Sequence, residues 1–426
     1  MRLLTLPLVL ISFLISSPVS ARPQSKTSPI AAANVMSFGA RADGKTDDTL
    51  AFQKAIDFAG TKGGVVLAPA GTYLIPGSLD LPQGVTLRGV WEAPHLSIVK
   101  GTVILATGGE GDENAKPLIS MSANSCVKGL TIIYPNQKAD RIVPFPWTIA
   151  GREMHCSVID VTLTNPYKAI TFPTWNEVHF VSNVYGCPLK EGIFVDNCTD
   201  IGRIENVHFS PNYWTRAGAP YAVPRNDHDK LGRFMAENLV AYRFGRTDWE
   251  YMTNCFCIGA KIGYHFVKTA KGGPNVVLTQ CGSDGGSTAV QVDNCQPHAG
   301  IAFSNSQFEA RVVTTNTNNG PVKFSNCGFW PVGDTDNQAL LEGHGTVTFT
   351  ACHFLEWGKK NPNAACIVAK HGTLIVSGCD FMAAKPQIEL GEGVGNAAIF
   401  GNLLRGGQKI LNNSKGSVQI GLNVGQ

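Results

Sequence analysis

Two acidic side chains, separated by one residue, lie in the segment Arg246-Thr247-Asp248-Trp249-Glu250-Tyr251. If this segment is an extended strand, Asp248 and Glu250 point to the same face, about 6.6 Å apart along the strand. Cleavage of a glycosidic bond needs one carboxyl group that is protonated and donates to the leaving oxygen, and a second that is ionised and activates water or attacks carbon. The pair therefore predicts the acid and base of a glycoside-cleaving site. The alternative is that both are solvated acids paired with nearby arginines.

Other side chains could complete such a site. Asp284 and Asp196 are further candidate catalytic acids, although Asp196 also fits the role of a turn cap. Flat aromatic rings and forked guanidinium groups are the side chains that contact sugar rings and bind carboxylates. The candidate substrate-binding residues are Arg246, Trp249, Tyr251, Arg243, Trp214, Tyr264, His265 and Lys268.

Two alternatives to a glycoside hydrolase remain open. A polysaccharide lyase would remove the proton next to a uronate carboxylate, with Lys268, His265 or Tyr264 as the base. It would also need a neutralising group such as Arg246 or a calcium ion. A non-catalytic carbohydrate binder, of the adhesin or tailspike kind, would need neither. The chain has no CxxC pair, so we predict no zinc site and no cofactor, with calcium only in the lyase alternative.

The element that must position these residues is a short repeat. Its phrase is an apolar pair, a few small polar residues and then phenylalanine, with lead residues Phe303, Phe324, Phe349 and Val376 that are 21, 25 and 27 residues apart. Each repeat has room for two or three short strands joined by Gly, Asn, Asp and Ser turns, but not for a ten-residue helix. This period predicts an all-β fold, a single right-handed parallel β-helix.

The front of the chain has the pattern of a cap for such a coil. Residues Asp47 to Gly60 begin with a carboxylate and end at glycine, which predicts an amphipathic helix. We expect this helix to close the open end of the β-helix core. Its predicted apolar face consists of Leu50, Phe52, Ala55, Ile56 and Phe58.

A family resemblance lies in the same region. The residues Phe38-Gly39-Ala40-Arg41-Ala42-Asp43-Gly44-Lys45-Thr46-Asp47-Asp48-Thr49, followed by Gly63-Gly64-Val65-Val66 and Pro69-Ala70-Gly71-Thr72-Tyr73, resemble the pectate-lyase-like superfamily. That group includes polygalacturonases, rhamnogalacturonases, β-1,3-glucanases and phage tailspikes. The resemblance implies the β-helix fold and action on a carbohydrate polymer. Of the motifs of polygalacturonase-like members, only Gly343-His344-Gly345 is present, so the resemblance does not specify the reaction.

The chain is expected to be exported. Residues 1–21 have the pattern of a signal peptide, with Arg2, an apolar run and a small-residue cleavage site at Ala21. Residues 22–33 are predicted to be a flexible leader, and residues 34–426 a β-helix domain with a loop insertion at about 210–254. We expect a periplasmic or extracellular protein without a membrane span, acting on a polysaccharide as a monomer or homotrimer.

The charge of the chain bears on nucleic acid as a partner, and the cysteine positions bear on disulfide bonds. With 35 basic and 32 acidic residues and a net charge of +3, the chain offers no basic run for nucleic acid. Cys327, Cys352 and Cys379 occupy the same point of the repeat. Because equal phase places residues above one another in successive coils, we predict that these cysteines form a buried ladder of free thiols rather than disulfides.

Overall fold

The computed structural model describes residues 32–92, 100–331, 333 and 335–425. The predicted signal peptide and nearly all of the predicted leader lie outside these residues. The strands of the described chain belong to one continuous sheet, in which each strand pairs in parallel with strands of the coils before and after it. Phe303, Phe324, Phe349 and Val376 pair in register, as the repeat predicts. The parallel β-helix is therefore confirmed.

Three stacks of strands run along the coil, and stack 1 carries much of the candidate site. Its inward positions are apolar, as at Ile170, Ile193 and Val290, which are buried. Because successive side chains of a strand point to opposite faces, the positions of the buried residues determine which residues reach the outer surface. The strands of stack 1 are Leu79–Leu81, Ile119–Met121, Trp147–Gly151, Lys168–Phe172, Glu191–Val195, Val240–Phe244, Ile262–Phe266, Thr288–Val292, Arg311–Thr314, Ala339–Leu341, the first parts of Ile367–Ser377 and Ile388–Phe400, and Ile410–Asn412.

Stack 2 follows stack 1 in each coil. Its strands are Ala32–Asn34, Gly64–Leu67, Val85–Arg88, the first parts of Cys126–Ile133, Ser157–Leu163, Phe180–Gly186 and Cys198–Phe209, then Thr247–Thr253, Pro274–Thr279, Ile301–Ser304, Val322–Ser325, Thr346–Thr350, the last parts of Ile367–Ser377 and Ile388–Phe400, and Ser417–Gly421. The short strands Glu153–Met154 and Asn176–Glu177 pair along its leading edge.

Stack 3 completes the coil. Its strands are Asp43–Asp47, Gly71–Ile75, Thr102–Ala106, the last parts of Cys126–Ile133, Ser157–Leu163, Phe180–Gly186 and Cys198–Phe209, then Phe256–Ile258, Gly282–Asp284, Gln307–Phe308, Gly328–Phe329, His353–Phe354, Asp380–Phe381, Leu403–Leu404 and Val424–Gly425.

The small polar residues of the repeat form the turn between stacks 2 and 3. Asn206, Asn254, Asn305 and Asn326 all have positive φ there, a conformation that asparagine tolerates better than most residues. Their amides also link neighbouring coils, since Asn326 Nδ2 donates to Asn305 Oδ1 at 2.7 Å. Inside the coil, the rings of the lead residues stack with centroids 5.1–5.4 Å apart. The repeat therefore encodes both a turn and a core ladder.

All twelve cysteines have free thiols, and all except half-buried Cys126 are buried. Cys327, Cys352 and Cys379 lie in successive coils of the core, and the backbone N–H of Cys352 donates to Cys379 Sγ at 3.4 Å. The predicted ladder of unbridged thiols is confirmed.

One end of the coil is covered by helix α1, Thr49–Gly60, which follows a short 3-10 helix, Val35–Phe38. Its buried residues are Ala51, Phe52, Ala55, Ile56 and Ala59. The predicted helix is present, but Leu50 and Phe58 of its predicted apolar face are 64% and 56% exposed. They are exposed because the buried stripe passes through the small alanines instead.

The insertion is shorter than predicted. It contains α2, Asn212–Thr215, a 3-10 turn, Arg225–Asp227, and α3, His228–Asn238, after which the strand Val240–Phe244 resumes stack 1. The predicted insertion extends too far, because Val240–Phe244 and Thr247–Thr253 are strands paired with both neighbouring coils. Within the described part of the chain, no helix has the length and apolarity that crossing a membrane requires.

Candidate functional site

Asp248 and Glu250 do not share an outward face. The Glu250 side chain is fully buried, whereas the Asp248 side chain is 35% exposed. The register of the strand pairs shifts between Thr247 and Glu250, which breaks the regular alternation of faces. Glu250 Oε1 lies 3.0 Å from His179 Nε2 inside the coil. The prediction that Glu250 and Asp248 form an exposed acid and base is therefore wrong.

Two of the predicted substrate-binding aromatics are also interior residues. Tyr264 is fully buried, and its hydroxyl donates to the carbonyl oxygens of Cys255 and Gly282 at 2.8 and 2.9 Å. Trp214 is 2% exposed, and its Nε1 donates to the carbonyl oxygen of Tyr221 at 3.1 Å. Both rings pack the core and the insertion, so the prediction that they bind substrate is wrong.

Asp196 is a turn cap rather than a catalytic acid. Its Oδ1 accepts from the backbone N–H groups of Asn197 and Arg246 at 2.9 and 2.8 Å, and from the hydroxyl of Thr269 at 2.9 Å. The residue is 9% exposed. All three donors bind Oδ1, as expected of a turn cap that stabilises the coil corner.

A polar row runs along the outward face of stack 1. We define it as Phe194, Arg243, His265 and Gln291, which occupy one position in four consecutive coils and pair in register. Neighbours in the row are therefore about 4.8 Å apart. The Arg243 guanidinium stacks 3.9 Å above the Phe194 ring. Its Nη2 donates to Glu191 Oε2 at 2.8 Å, so both contacts hold the guanidinium toward the preceding coil.

His265 and Asp293 form the most chemically capable pair of this face. His265 Nε2 lies 2.7 Å from Asp293 Oδ2, and Gln291 Nε2 donates to Asp293 Oδ1 at 3.0 Å. Burial raises the pKa of Asp293, but the hydrogen bonds from His265 and Gln291 outweigh it, so the net pKa lies below the ordinary value. An ionised Asp293 holds a proton on Nε2 of His265, which leaves Nδ1 with a free lone pair.

That nitrogen has no partner in the described part of the structure. His265 Nδ1 and Arg243 Nε are both buried and lack a hydrogen bond to any described residue. Because Arg243 and His265 are paired residues of adjacent coils, their unpartnered groups belong to one short stretch of the row. The row therefore contains an oriented histidine in the coil that follows Arg243.

The corner between stacks 1 and 2 extends this surface. Arg246 Nη2 donates to Asp248 Oδ2 at 2.8 Å, and Lys268 is exposed. Trp249 and Tyr251 are 57% and 41% exposed on the adjoining face of stack 2. The structure thus places these predicted residues on neighbouring coils. Arg243 and His265 lie on the outward face of stack 1, Arg246, Asp248 and Lys268 at the corner, and Trp249 and Tyr251 on the face of stack 2.

A second carboxylate pair lies elsewhere, on stack 3. Asp284 and Glu309 occupy successive coils, and the backbone N–H of Glu309 donates to the carbonyl oxygen of Ser283 at 3.0 Å. Burial and the hydrogen bond to the Asp284 carboxyl raise the pKa of Glu309, although Trp330 Nε1 donates to Glu309 Oε1 at 2.8 Å. A protonated Glu309 next to Asp284 has the division of roles that acid and base catalysis uses.

The interior contains one group of potential metal ligands among the described residues. His179, Cys198 and Glu250 are buried and place a ring nitrogen, a thiol sulfur and a carboxylate oxygen within 4.8 Å of one another.

Several residues of the outer face were identified from the sequence, but not the residues that contact them. Asp293, Glu309, His179 and Cys198 were not among the predicted site residues. The missing signal was the repeat itself, since Asp293 lies 28 residues after His265, and Glu309 lies 25 residues after Asp284. A separation of one period places two residues side by side in a coil.

The chain matches known proteins over part of its length. Residues 32–133 match the family described as rhamnogalacturonase A/epimerase, pectate lyase-like. Alginate lyase 7 of Azotobacter vinelandii is 39% identical over 80 residues, which are 18% of this chain and 8% of that protein. The curated relatives matched by sequence are thus covered over less than a tenth of their length.

Two solved structures share the coil. The N-terminal fragment of bacteriophage Phi29 gene product 12 aligns with a TM-score of 0.58 at 14% identity, over 92% of this chain and 70% of that one. The DFA-IIIase of Arthrobacter chlorophenolicus A6, solved without its lid, aligns with a TM-score of 0.55 at 11% identity, over 92% and 98%. At these identities the likeness concerns the fold alone. With the family match, it confirms the resemblance to the pectate-lyase-like superfamily.

Proposed function

We propose that this chain is a carbohydrate-active enzyme that binds an acidic polysaccharide along the polar row and cleaves it by β-elimination, with His265 as the base. The observation that carries this proposal is the 2.7 Å contact between His265 Nε2 and Asp293 Oδ2 beside the paired residue Arg243. A histidine whose second nitrogen is held by an ionised carboxylate is oriented and kept in one tautomer. The guanidinium next to it can bind a uronate carboxylate.

The reaction would proceed as follows. Because Nδ1 of His265 is buried in the free chain, the ring must turn outward before this nitrogen removes the proton from the carbon next to the uronate carboxylate. Arg243 stabilises the negative charge that develops on that carboxylate. The electron pair forms a carbon–carbon double bond as the bond to the leaving glycosidic oxygen breaks. That oxygen takes a proton from water or from the nearby exposed Lys268. Asp293 stabilises the imidazolium, which then returns its proton to solvent.

The corner between stacks 1 and 2 would hold the rest of the polymer. Trp249 and Tyr251 offer exposed ring faces for sugar stacking, and the Arg246–Asp248 pair offers donors and acceptors for hydroxyl groups. The relative named as an alginate lyase supports elimination as the reaction, whereas the family description names a rhamnogalacturonase and an epimerase beside its pectate lyase-like group.

Hydrolysis is the second candidate, at a different place. The raised pKa of Glu309 next to Asp284, with Trp330 bound to the same carboxyl, fits a general acid and its partner. This arrangement retains the predicted role of Asp284 and replaces the buried Glu250 with Glu309. The relative named as a DFA-IIIase shares the fold and does not decide between the two reactions.

One pair of assays separates these functions. A set of uronate-containing and neutral polysaccharides is incubated with the chain, and both new reducing ends and ultraviolet absorbance of unsaturated uronate products are followed. Elimination predicts that both signals rise together on an acidic polymer. Reducing ends without absorbance would favour hydrolysis at Asp284 and Glu309. Binding without either signal would indicate a non-catalytic binder.

A further inference from the structure

The buried cluster of His179, Cys198 and Glu250 is assembled from three successive coils. His179 precedes the Phe180–Arg203 pair by one residue, so it stands level with Gly202, and Gly202 pairs with Glu250. His179 and Glu250 therefore belong to coils separated by about 9.5 Å. Their side chains meet at 3.0 Å across the middle coil.

Glycine in the middle coil makes this contact possible. A Cβ atom at Gly202 would lie 2.3 Å from both His179 Cε1 and Glu250 Oε2. Any other residue at this position would therefore push the histidine and glutamate apart. On its other face, the His179 ring stacks on Phe172 with centroids 4.5 Å apart. The two side chains are held in a fitted pocket of the core.

The hydrogen bonds of Asn176 define which nitrogen of His179 carries a proton. Asn176 Nδ2 donates to the backbone carbonyl oxygens of Phe172, Thr174 and Asp196 at 3.3, 2.8 and 2.8 Å, which fixes the amide orientation. Asn176 Oδ1 must then accept from His179 Nδ1, at 2.9 Å. In a neutral imidazole, Nε2 is consequently a bare lone pair.

This lone pair faces a carboxylate oxygen, which is also an acceptor. Two acceptors 3.0 Å apart require a positive species between them, either a proton or a metal ion. The second oxygen of Glu250, Oε2, is buried and has no hydrogen bond to any described residue. A buried carboxylate with an unpartnered oxygen is costly unless a further cation binds it.

We propose that His179 Nε2, Cys198 Sγ and Glu250 bind a zinc ion in the interior of the coil. Imidazole, thiolate and carboxylate are the donor types that zinc takes in proteins. Tetrahedral zinc places such donors roughly 3.3 to 3.6 Å apart, given bond lengths of about 2.0 to 2.3 Å. The three donors lie within 4.8 Å of one another. Cys198 Sγ lies 3.9 Å from His179 Nδ1, so its side chain must rotate toward Nε2 to reach the ion.

The surroundings fit a structural site. Nδ1–H of His179 donates to Asn176 Oδ1, which is the outer-sphere contact that orients metal-bound histidines. Binding replaces the proton of the Cys198 thiol, whose Sγ lies 2.8 Å from the carbonyl oxygen of Asp200. A divalent ion with one thiolate and one carboxylate gives a neutral cluster, which suits burial. The ion would tie three coils together.

The test measures zinc in the tag-free purified chain. Protein prepared with zinc sulfate and then dialysed is expected to retain about one zinc ion per chain, and to melt at a higher temperature than protein refolded with a chelator. Cobalt substituted for zinc should give the thiolate-to-metal absorption band of a cysteine ligand. Cys198→Ser should lose most of the bound zinc and the band, whereas Cys281→Ser, at another buried thiol, should keep both.

A chain that folds with no bound metal, shows no cobalt band and has the same melting temperature with zinc and with chelator would overturn the proposal. In that case a proton, rather than a metal ion, lies between His179 and Glu250. Should Cys198→Ser not fold, the wild-type zinc content and cobalt spectrum decide alone. The result is independent of the proposed lyase activity, because no residue of the cluster lies in the polar row.

Discussion

His265 and Asp293 lie in adjacent coils, and their side chains meet at 2.7 Å on the outer face of the β-helix. The contact joins a nitrogen that can carry a proton to a carboxylate that stays ionised. Gln291, in the same coil as Asp293, holds the other oxygen of that carboxylate at 3.0 Å. A repeat of 28 residues is enough to bring the two groups together, which is how a solenoid builds a site from residues distant in sequence.

The first prediction concerns Asp293→Asn. The amide keeps the shape of the side chain but removes the charge that stabilises the imidazolium, so turnover of the polymer should fall about 10² to 10⁴-fold. Asp380→Asn is the matched control, because Asp380 also contacts a histidine, His353, at 3.9 Å but lies on stack 3. Initial rates for both variants provide the measurement. Equal rates for Asp293→Asn and wild type would remove Asp293 from the mechanism.

The second prediction is a loss of stability in acid. The pKa of Asp293 is lower in the folded chain than its ordinary value of 3.8. The folded state therefore gains stability from this group above about pH 4 and loses it as the pH falls through the folded pKa. Urea unfolding of wild type and Asp293→Asn should show a stability difference at pH 6 that shrinks toward pH 3. A constant difference would contradict the pKa shift.

The third prediction is a loss of stability as the pH rises. The pKa of Glu309 is raised above its ordinary value of 4.5 by burial and by the Asp284 carboxyl. Ionisation is then harder in the folded chain, so wild type loses stability as the pH rises from 4.5 through the folded pKa. Glu309→Gln keeps an acceptor for Trp330 and removes the ionisation. Its melting temperature relative to wild type should be higher at pH 8 than at pH 4.

The fourth prediction compares two glycines. Gly202→Ala inserts a Cβ 2.3 Å from His179 Cε1 and Glu250 Oε2, and overpacking of this kind should destabilise the fold by about 1 to 3 kcal/mol. Gly232→Ala in α3 has no atom within 4 Å of the new Cβ, and should stabilise by roughly 0.5 to 1 kcal/mol. Denaturant unfolding measures both. Equal free energies for the two variants would show that the pocket around His179 relaxes freely.

The fifth prediction separates binding from packing. Trp249→Ala removes a ring that is 57% exposed, so the melting temperature should change little while the dissociation constant for the polymer rises about tenfold. Phe400→Ala removes a ring that is 46% exposed on the outer face of stack 2 near the far end of the coil. It should alter neither binding nor turnover. Isothermal titration with an oligomer of the polymer measures the dissociation constant of each variant.

The coil could be predicted from the sequence because its signals are local and repeated. The phenylalanine phrase, the asparagine turns and the equally spaced cysteines each recur once per coil, and all were found in register. The limits of the insertion were missed because Asp248 to Tyr251, rich in charge and aromatic rings, looks like loop sequence. In the structure it is a strand whose exposed residues happen to be aromatic.

The site was predictable only in part. Arg243, Arg246 and His265 were identified because their side chains suit sugar acids, and they are found on neighbouring coils. The burial of Glu250 could not be predicted, since it depends on a register shift in one strand and on Gly202 in the adjacent coil. Both depend on contacts between coils, which the spacing of Asp248 and Glu250 within one strand does not report.

The most direct measurement of the central claim is the rate at which unsaturated uronate product forms, for wild type and for His265→Gln. The glutamine can still donate to Asp293, so it removes the base while keeping the neighbouring contact. We predict that wild type on an acidic polysaccharide gives ultraviolet-absorbing product in step with new reducing ends, and that His265→Gln lowers this rate at least about 10²-fold. An unchanged rate in His265→Gln, or reducing ends without absorbance, would contradict the account.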